Sequence, residues 1–241
     1  MKEIKFFKDM PEIEAGFSVI GQTSGQVRAE LAGQGLLVVR PVQVHRDQIR
    51  MITEELRREC QAGNRKELVF EDTDGIMTCC QGVALTTIHG DCLPIYLYDR
   101  KTGAMGLAHG GWKGSCLGIG AKLAKTMEKE MAASMDSMSA AIGPGVGFCC
   151  FEVGEEVYEA FAGRYDYIDE FARKKDNGKY NLDLKGINRR QLTDLGIRDI
   201  EVSPLCTACS RDPQGGGPLF YSYRREEADP RRMAAYLYRR P

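Results

Sequence analysis

The sequence lacks the features that mark membrane, secreted or nucleic-acid-binding proteins. It contains no run of 18 apolar residues that could cross a bilayer as a helix, and residues 1–16 carry no apolar stretch typical of a signal peptide. Its 33 basic and 34 acidic residues leave a formal net charge of −1. A chain without excess positive charge is not drawn to nucleic acid or to an anionic membrane surface. We therefore expect a cytoplasmic protein with neither as partner.

The chain also lacks internal repeats, low-complexity tracts and any obvious linker. Its 241 residues are enough to bury a substantial core, and a hydrophobic content of 43% with 28% charged residues is ordinary for a soluble protein. We therefore expect a single domain over residues 1–241.

Cysteine is frequent, but its arrangement does not suit a disulfide framework. The nine cysteines are an odd number, and Cys79–Cys80 and Cys149–Cys150 are adjacent pairs. We interpret them as reduced thiols, most of them buried as small apolar residues. Cys206 and Cys209 form a single CxxC without a second such pair, which argues against a zinc ribbon and favours a buried loop.

The hydrophobic pattern predicts strands that alternate with helices. Helices are predicted in QVRAELAGQG, 115–132, VGEEVYEAFAG and LDLKGINRRQLTDLG, the last with Asp183 as N-cap. Strands are predicted at 36–40, 75–79, 83–89, 94–99 and 104–109 and in SAAIGPG, RDIEVSP and LFYSYRR. DRKTG predicts a hairpin turn, and residues 46–60 fit either a charged helix or an edge strand. The pattern indicates an α/β protein with a mixed sheet and helices on both faces.

Chemistry-bearing side chains cluster near strand ends in the middle of the chain. The three histidines are His45, His89 and His109, and Cys92 lies in the turn after His89. Side chains just beyond strand ends converge into clefts. One thiolate and two imidazoles suit zinc or copper and leave a fourth position open. Since a lone histidine is more often structural, the residues alone leave metal binding undecided.

The HGGWKGS segment predicts a corner at which a ligand could approach the backbone. Gly110 and Gly111 permit close approach, and Lys113 could add positive charge. Packing of Trp112 against the sheet explains the same segment equally well. The acidic cluster EDTDG at 71–75 could supply carboxylates, although its composition is that of an ordinary turn.

Several motifs, in the same order along the chain, resemble the YfiH-like laccase-domain family, whose members are also called multicopper polyphenol oxidases. They are VHRD, DGIMT, ALTTIHGDCLPIYLYD, GLAHGGWKGSCLGI, AAIGPGVGFCCFEVGEEV, LCTACS and LFYSYRREEADPRRMAAYL, from about residue 38 to the C terminus. The resemblance implies an α/β/α sandwich with a mixed β-sheet, similar to the fold of a bacterial toxin deamidase that uses a Cys/His pair.

The resemblance also implies a metal site formed by His45, Cys92 and His109, with zinc as the metal and copper as the alternative. His89 is not implied as a ligand, because family members usually carry a small residue or threonine there. The implied reactions are phosphorolysis of adenosine, inosine and methylthioadenosine, and deamination of adenosine. Purine nucleosides and phosphate are then the expected partners, and the oligomeric state stays open.

Roles for individual residues follow from these implied reactions. Cys92 and His109 are expected to be catalytic, and Asp91 to orient a ligand or act as a base, unless it caps the turn. Phosphate needs positive charge and N–H donors. We expect phosphate to be bound by the Gly110 and Gly111 amides, Lys113 and Arg224.

The chain departs from the family pattern at four places. An S-L-N-x-G element is missing from the N-terminal region, which we therefore expect to be shortened. Arg46 replaces a usual glycine, Lys113 stands where arginine is commoner, and no glycine precedes Arg232. We expect the metal ligands to be retained and the substrate contacts from the N-terminal region to differ.

Three other functions compete with a zinc-dependent nucleoside enzyme. The first is a metal-free cysteine hydrolase with Cys92 as nucleophile and His109 as base, which has little need of His45. The second is a binding or peptidoglycan-editing protein without nucleoside turnover. The third, a copper polyphenol oxidase, ranks lower because one Cys/His₂ site cannot supply the several coppers that reduce oxygen to water.

Overall fold

A computed structural model describes residues 3–226 and 231–240, which form fifteen strands and six α-helices. The strands are β1 (Glu3–Phe6), β2 (Ile13–Ser18), β3 (Leu37–Pro41), β4 (Ile49–Ile52), β5 (Glu67–Phe70), β6 (Gly75–Thr78), β7 (Val83–His89), β8 (Leu93–Asp99), β9 (Met105–Gly110), β10 (Met138–Ile142), β11 (Glu152–Val153), β12 (Ala172–Lys174), β13 (Tyr180–Leu182), β14 (Asp199–Val202) and β15 (Met233–Arg239). The helices are α1 (Ser24–Gly33), α2 (Glu54–Ala62), α3 (Trp112–Cys116), α4 (Ile119–Met131), α5 (Glu155–Ala162) and α6 (Leu184–Asp194). Within these described residues, no helix is both long and apolar enough to span a membrane.

Twelve of the described strands form two six-stranded sheets. The order in sheet A is β1-β2-β15-β7-β3-β5, and in sheet B it is β14-β10-β8-β9-β6-β4. Both sheets are mixed: β3 is parallel to β7 whereas β15 is antiparallel to it, and β10 is parallel to β14 but antiparallel to β8. The expected mixed α/β fold is confirmed, with its strands divided between two sheets instead of collected in one.

Side-chain alternation along β8 places sheet B between sheet A and a layer of helices. Ile95 and Leu97 pack in the same core as Leu123 of α4, on the helical side of the sheet. Tyr96 and Tyr98, between them in sequence, belong to the core shared with sheet A. Since successive side chains of a strand point to opposite faces, sheet B buries both faces.

Sheet A has the same two-sided arrangement with a smaller helical cover. Leu85 of β7 lies in the core between the sheets, whereas its neighbour Ala84 faces outward. Val27 and Leu31 of α1 cover this outer face, to which Ala234 of β15 also belongs. The layers therefore run from α1 through sheet A and sheet B to the helices around α4 and α6.

The predicted hairpin turn at DRKTG and the predicted N-cap at Asp183 are both confirmed. The DRKTG turn joins β8 to β9, with Gly103 at φ 72° and the Asp99 carboxylate accepting a hydrogen bond from the Thr102 backbone N–H. Asp183 caps α6 by accepting from the Gly186 backbone N–H at 3.0 Å. These features depend on a few consecutive residues, which is why the sequence predicts them.

Two predicted elements differ in the structure. Residues 219–225 form turns and not a strand, because the backbone N–H of Arg224 donates to the Asp91 side chain and not to a neighbouring strand. The predicted helix at 115–132 is divided into α3 and α4, since Gly118 adopts a left-handed φ of 71°. The ambiguous 46–60 region contains both kinds of element, strand β4 and helix α2.

The sheet register brings the chemistry-bearing segments to one end of the molecule. Leu93, which begins β8, pairs with Gly110 at the end of β9. Gly75, which begins β6, pairs with Ala108. The turn between β7 and β8 and the residue before β6 therefore lie next to His109.

The packing between the sheets predicts a large cost for truncating Leu85. Leu85→Ala removes a fully buried side chain, so the free energy of unfolding should fall by about 2–5 kcal/mol. Ile88→Ala, on the same strand but 39% exposed, should change it by no more than about 0.5 kcal/mol. Urea denaturation measures both, and equal losses would contradict the assigned facing of β7.

Candidate metal centre and pocket

Three side chains from distant parts of the chain meet at this end of the sheets. His45 follows β3, Cys92 lies in the turn between β7 and β8, and His109 is in β9. One ring nitrogen from each histidine and the Cys92 sulfur all lie within 4.8 Å of one another. The two imidazole rings meet edge to face, with centroids 4.8 Å apart. The structure thus brings together the ligand set that the family resemblance implies.

The buried carboxylate of Asp74 holds two of these residues in place. Its Oδ1 accepts from the His45 backbone N–H and from His109 Nδ1, both at 3.0 Å. Its Oδ2 accepts from the backbone N–H groups of Val44 and Arg46 at 3.2 and 2.8 Å. These bonds support His45 in a left-handed conformation with φ 60°. They also select the His109 tautomer whose Nε2 can bind a metal.

Sequence reasoning missed Asp74, which lies in the EDTDG segment interpreted as an ordinary turn. Asp72 and Asp74 have the same side chain and adjacent neighbourhoods in sequence, yet Asp72 is exposed and Asp74 is fully buried. The available signal was position, because Asp74 immediately precedes a buried strand. Only the pairing of β6 with β9 shows that this acid adjoins His109.

Electrostatics favour a thiolate beside a protonated imidazole in the protein alone. Burial opposes the charged thiolate, but the charge and hydrogen bond of His109, with help from His45, lower the pKa of Cys92 to about 6. Burial likewise opposes the charged imidazole, but Cys92 and Asp74 raise the pKa of His109 to about 9. Hydrogen bonds from His109 and the backbone lower the pKa of the Asp74 carboxyl despite its burial.

Gly111 provides the close approach that a metal centre needs. A Cβ at this position would lie 3.1 Å from the Cys92 sulfur and 3.1 Å from His45 Cδ2. Any larger residue would therefore intrude among the three donors. A thiolate, two imidazoles and a carboxylate bonded to one of them match the donor sets that bind zinc and copper. Gly110 is packed differently, since its Cβ would meet Ile95 Cδ1 at 3.0 Å.

His89 lies beside the centre without joining it. Its Nε2 is 2.8 Å from Thr87 Oγ1, and its Nδ1 is 2.9 Å from the backbone oxygen of Cys92. Burial and the nearby charge of His109 hold its pKa well below the usual range, so the ring is neutral. With both nitrogens bonded, His89 supports the turn that carries Cys92.

A pocket of about 540 Å³ opens above the three donors. Val42, Ile88 and Tyr223 supply apolar and aromatic surface, and all three are among the exposed large hydrophobic residues. The complete lining is Arg40, Pro41, Val42, Gln43, His45, Ile88, Gly90, Asp91, Cys92, His109, Tyr223 and Arg232. The pocket lining therefore combines apolar and aromatic side chains with two arginines and the candidate metal ligands.

The cationic residues at the pocket differ from those predicted to bind phosphate. Lys113 lies outside the lining, with its Nζ 5.5 Å from the centre of the Trp112 ring, and Arg224 lies near Phe151. Arg40 and Arg232 line the pocket instead. Sequence reasoning overlooked Arg40 because it lies within a predicted strand. Phosphate binding by Lys113 or Arg224 stays a prediction.

Asp91 contacts the loop that carries Tyr223. Its carboxylate accepts hydrogen bonds from Thr207 Oγ1 at 2.5 Å, Ser222 Oγ at 2.9 Å and the Arg224 backbone N–H at 2.6 Å. These three donors join the 207 and 222–224 segments to the turn beside Cys92. A role for Asp91 as a base stays a prediction, whereas its contacts are those of a residue that organises loops.

Comparison with known families gives one match that extends over most of the chain. Residues 20–240 match the sequence profile of the family described as multi-copper polyphenol oxidoreductase laccase. The match includes all three candidate ligands, Asp74 and the pocket residues.

Similar curated proteins are named for reactions of purine nucleosides. A purine nucleoside phosphorylase of Bacteroides thetaiotaomicron is 34% identical over 78% of this chain and 68% of its own length. The purine nucleoside phosphorylase YlmD of Bacillus subtilis is 31% identical over 81% of this chain and 68% of its own. An adenosine deaminase, RL5, from an unknown prokaryotic organism is 32% identical over 84% of this chain and 75% of its own.

Solved structures match the fold over nearly the whole chain. The hypothetical protein YfiH of Bacillus licheniformis superposes with a TM-score of 0.85 at 26% identity, over 100% of this chain and 97% of that one. YlmD of Geobacillus stearothermophilus superposes with a TM-score of 0.81 at 27% identity, over 97% and 94% of the two chains.

The four donors to Asp74 predict that Asp74→Asn weakens metal binding. An amide NH₂ cannot accept hydrogen bonds, so one pair of donors loses its acceptor and either the His109 ring or the 44–46 loop is released. Zinc affinity should fall by about 10- to 100-fold, measured by competition with a chromophoric chelator. Asp72→Asn is the matched control and should leave affinity unchanged, since Asp72 is exposed. Equal affinities for the two variants would contradict the role of Asp74.

Proposed function

Since the chain belongs to the family described as multi-copper polyphenol oxidoreductase laccase, we propose that it is a metal-dependent enzyme of purine nucleosides. The family expected from the motifs is thereby confirmed. The proposed reactions are phosphorolysis of adenosine, inosine and methylthioadenosine to free base and sugar 1-phosphate, and deamination of adenosine. Relatives named purine nucleoside phosphorylase and adenosine deaminase support both.

The observation that carries the proposal is a metal-ligand set at the floor of a pocket of nucleoside size. His45, Cys92 and His109 are the proposed ligands, with zinc as the metal and copper as the alternative. When bound, such a metal supplies Lewis acidity that lowers the pKa of a nucleophile such as water. Three protein ligands would leave a fourth coordination position for water or substrate, as in catalytic zinc sites.

The pocket walls suit a purine and an anion. We propose that the Tyr223 ring and the Ile88 and Val42 side chains contact the flat faces of the base. Arg232 and Arg40, whose Nε also donates to Glu67 at 2.8 Å, would bind phosphate or the ribose 1-phosphate product, because guanidinium groups form charge-assisted hydrogen bonds with phosphate oxygens. Asp91 would act on the substrate indirectly, through the loop that carries Tyr223.

The two proposed reactions differ in the nucleophile and in the bond that breaks. In phosphorolysis, a phosphate oxygen bonds to C1′ of the ribose while the bond to N9 breaks, and the leaving purine takes up a proton. In deamination, a water oxygen bonds to C6 and the amino group leaves as ammonia, with its added proton derived from that water. In the first reaction, Arg40 and Arg232 would favour binding of the phosphate anion. In both reactions, Asp74 would hold the His109 ring in its orientation.

A metal-free cysteine hydrolase is the second candidate, and the Cys92–His109 pair favours it. The pKa of Cys92, lowered to about 6, makes the thiolate available near neutral pH. In such an enzyme the Cys92 sulfur would attack an acyl carbon, and His109 would give its proton to the leaving group. His45 would then have no ligand role.

A copper polyphenol oxidase has less support from the donor groups. In the described part of the chain, the candidate metal groups are this Cys/His₂ set and a set of four cysteines, so a single group contains histidine. Reduction of oxygen to water needs several coppers.

The metal-dependent proposal predicts that His45→Ala loses one metal equivalent per chain relative to the wild type, together with nucleoside turnover. We expect purified wild-type protein to hold zinc by elemental analysis and to convert adenosine and inosine, with phosphate required for release of the sugar 1-phosphate. Loss of one of three ligands should reduce kcat/KM by at least about 100-fold. His89→Gln is the matched histidine control and should retain metal at this site, because both ring nitrogens of His89 bond within the protein.

Results that contradict the metal-dependent proposal would each support one of the alternative functions. Full activity in metal-free protein, or unchanged turnover in His45→Ala, would support the cysteine hydrolase. Metal-replete protein without any nucleoside turnover would reject the proposed activity and favour a binding or cell-wall role.

The proposed contact with the base predicts an aromatic requirement at residue 223. Tyr223→Ala should raise KM for inosine by about 5- to 150-fold, because stacking on a base contributes about 1–3 kcal/mol. Tyr223→Phe keeps the ring and should leave KM near the wild-type value. The contact is rejected if both variants have the same KM.

A further inference from the structure

A second group of potential metal ligands lies outside the pocket. The sulfurs of Cys149, Cys150, Cys206 and Cys209 all lie within 4.8 Å of one another. The first pair follows β10 and the second follows β14, and none of the four is among the pocket-lining residues. We propose that these four cysteines bind one zinc ion as a structural site. Its evidence is independent of the proposed nucleoside activity.

The spacing of the sulfurs fits a single tetrahedral ion. Zinc–sulfur bonds of about 2.3 Å place tetrahedral sulfurs about 3.8 Å apart. The sulfurs of Cys149 and Cys209 are 3.5 Å apart, and the other separations stay below the 4.8 Å limit. Four thiolates in a tetrahedral arrangement favour zinc among the common divalent metals. A multinuclear iron–sulfur cluster would need its cysteines farther apart to admit inorganic sulfide.

A disulfide explains the group less well. A disulfide joins two sulfurs at about 2.05 Å and would leave the other two thiols of the group without a role. The adjacent residues Cys149 and Cys150 cannot easily pair with each other, because consecutive residues point apart. Metal coordination uses all four sulfurs at once.

A backbone donor lies against the sulfur that is most buried. The Gly147 N–H donates to Cys206 Sγ at 3.2 Å. Such an N–H group stabilises thiolate charge without competing for the metal. A Cβ at Gly147 would lie 3.3 Å from Cys206 Cβ and 3.4 Å from Cys149 Sγ, so glycine allows the two loops to meet.

A buried lysine adds positive charge next to the same loop. Lys185 is 7% exposed, and its Nζ donates to the backbone oxygens of Ser203 and Leu205 at 2.8 and 2.6 Å. Leu205 directly precedes Cys206. Four thiolates around one zinc ion carry a net charge of −2, which a nearby ammonium group partly offsets.

The proposed site would hold the loop that supports the pocket. Thr207 lies between the two cysteines of the CxxC, and its hydroxyl donates to Asp91 beside Cys92. Arg225 donates to the backbone oxygens of Thr207 and Ala208 at 3.3 and 2.9 Å. A zinc ion at this position therefore fixes, through the 206–209 loop, both Asp91 and the segment around Tyr223.

The test starts from a double variant, Cys92→Ser with His109→Ala, which lacks two of the three candidate ligands in the pocket and serves as the background protein. After equilibration in zinc-buffered solution, this protein should still retain one zinc ion per chain by elemental analysis. Adding Cys149→Ser or Cys209→Ser should remove that zinc, whereas Cys79→Ser, at an exposed cysteine outside the group, should not. A background protein that retains no zinc, or iron instead of zinc, would overturn the proposal.

A second measurement needs no substitution in the cysteine group, so it holds even if those variants fail to fold. X-ray absorption at the zinc edge of the background protein should show sulfur neighbours alone, at about 2.3 Å. Nitrogen or oxygen neighbours would contradict the four-cysteine site. Mass spectrometry of the non-reduced protein tests the disulfide alternative. A mass lower by two hydrogens, with a covalent link between two of the four cysteines, would establish a disulfide and reject the zinc site.

Discussion

The candidate centre depends on one buried carboxylate with four hydrogen-bond donors. A buried charge is tolerated when it is paired and fully bonded, and Asp74 meets this condition with three backbone N–H groups and the His109 ring. The same bonds hold the 44–46 loop against β9 and support His45 at a positive φ. The residue that organises the site therefore supplies none of its three donors, and the geometry of the donors follows from it.

One side of the pocket is built from strands and the other from loops. His109 belongs to β9 and Cys92 lies between β7 and β8, and the side chains of these three strands are buried except for that of Ile88. Tyr223 belongs to a segment of turns held by Asp91, which also bonds to the loop between Cys206 and Cys209. The donor set therefore rests on packed strands, whereas the position of Tyr223 depends on the hydrogen bonds of Asp91.

Prediction from sequence succeeded where the determining interactions are local. Strand β7, the DRKTG hairpin and the Asp183 cap depend on residues within a few positions of one another. The family motifs pointed to His45, Cys92 and His109, which the structure brings together as a candidate ligand set. The division into two sheets was not predictable, because period-two patterns show which residues share a strand face but not which strands pair. LFYSYRR has the composition of a strand, yet its backbone donates to Asp91.

The sequence by itself determined the mixed α/β class, the ends of the four central strands to within one residue, and the family motifs that contain His45, Cys92 and His109. Tertiary structure alone decided that Asp74 and not Asp72 adjoins His109, and that Arg40, Arg232 and Tyr223 line the pocket. It alone brought Cys149 and Cys150 to Cys206 and Cys209. Hydrophobic periodicity and helix capping depend on residues that are neighbours in sequence. Contacts between distant segments depend on strand order and register, which are set by burial of the whole core.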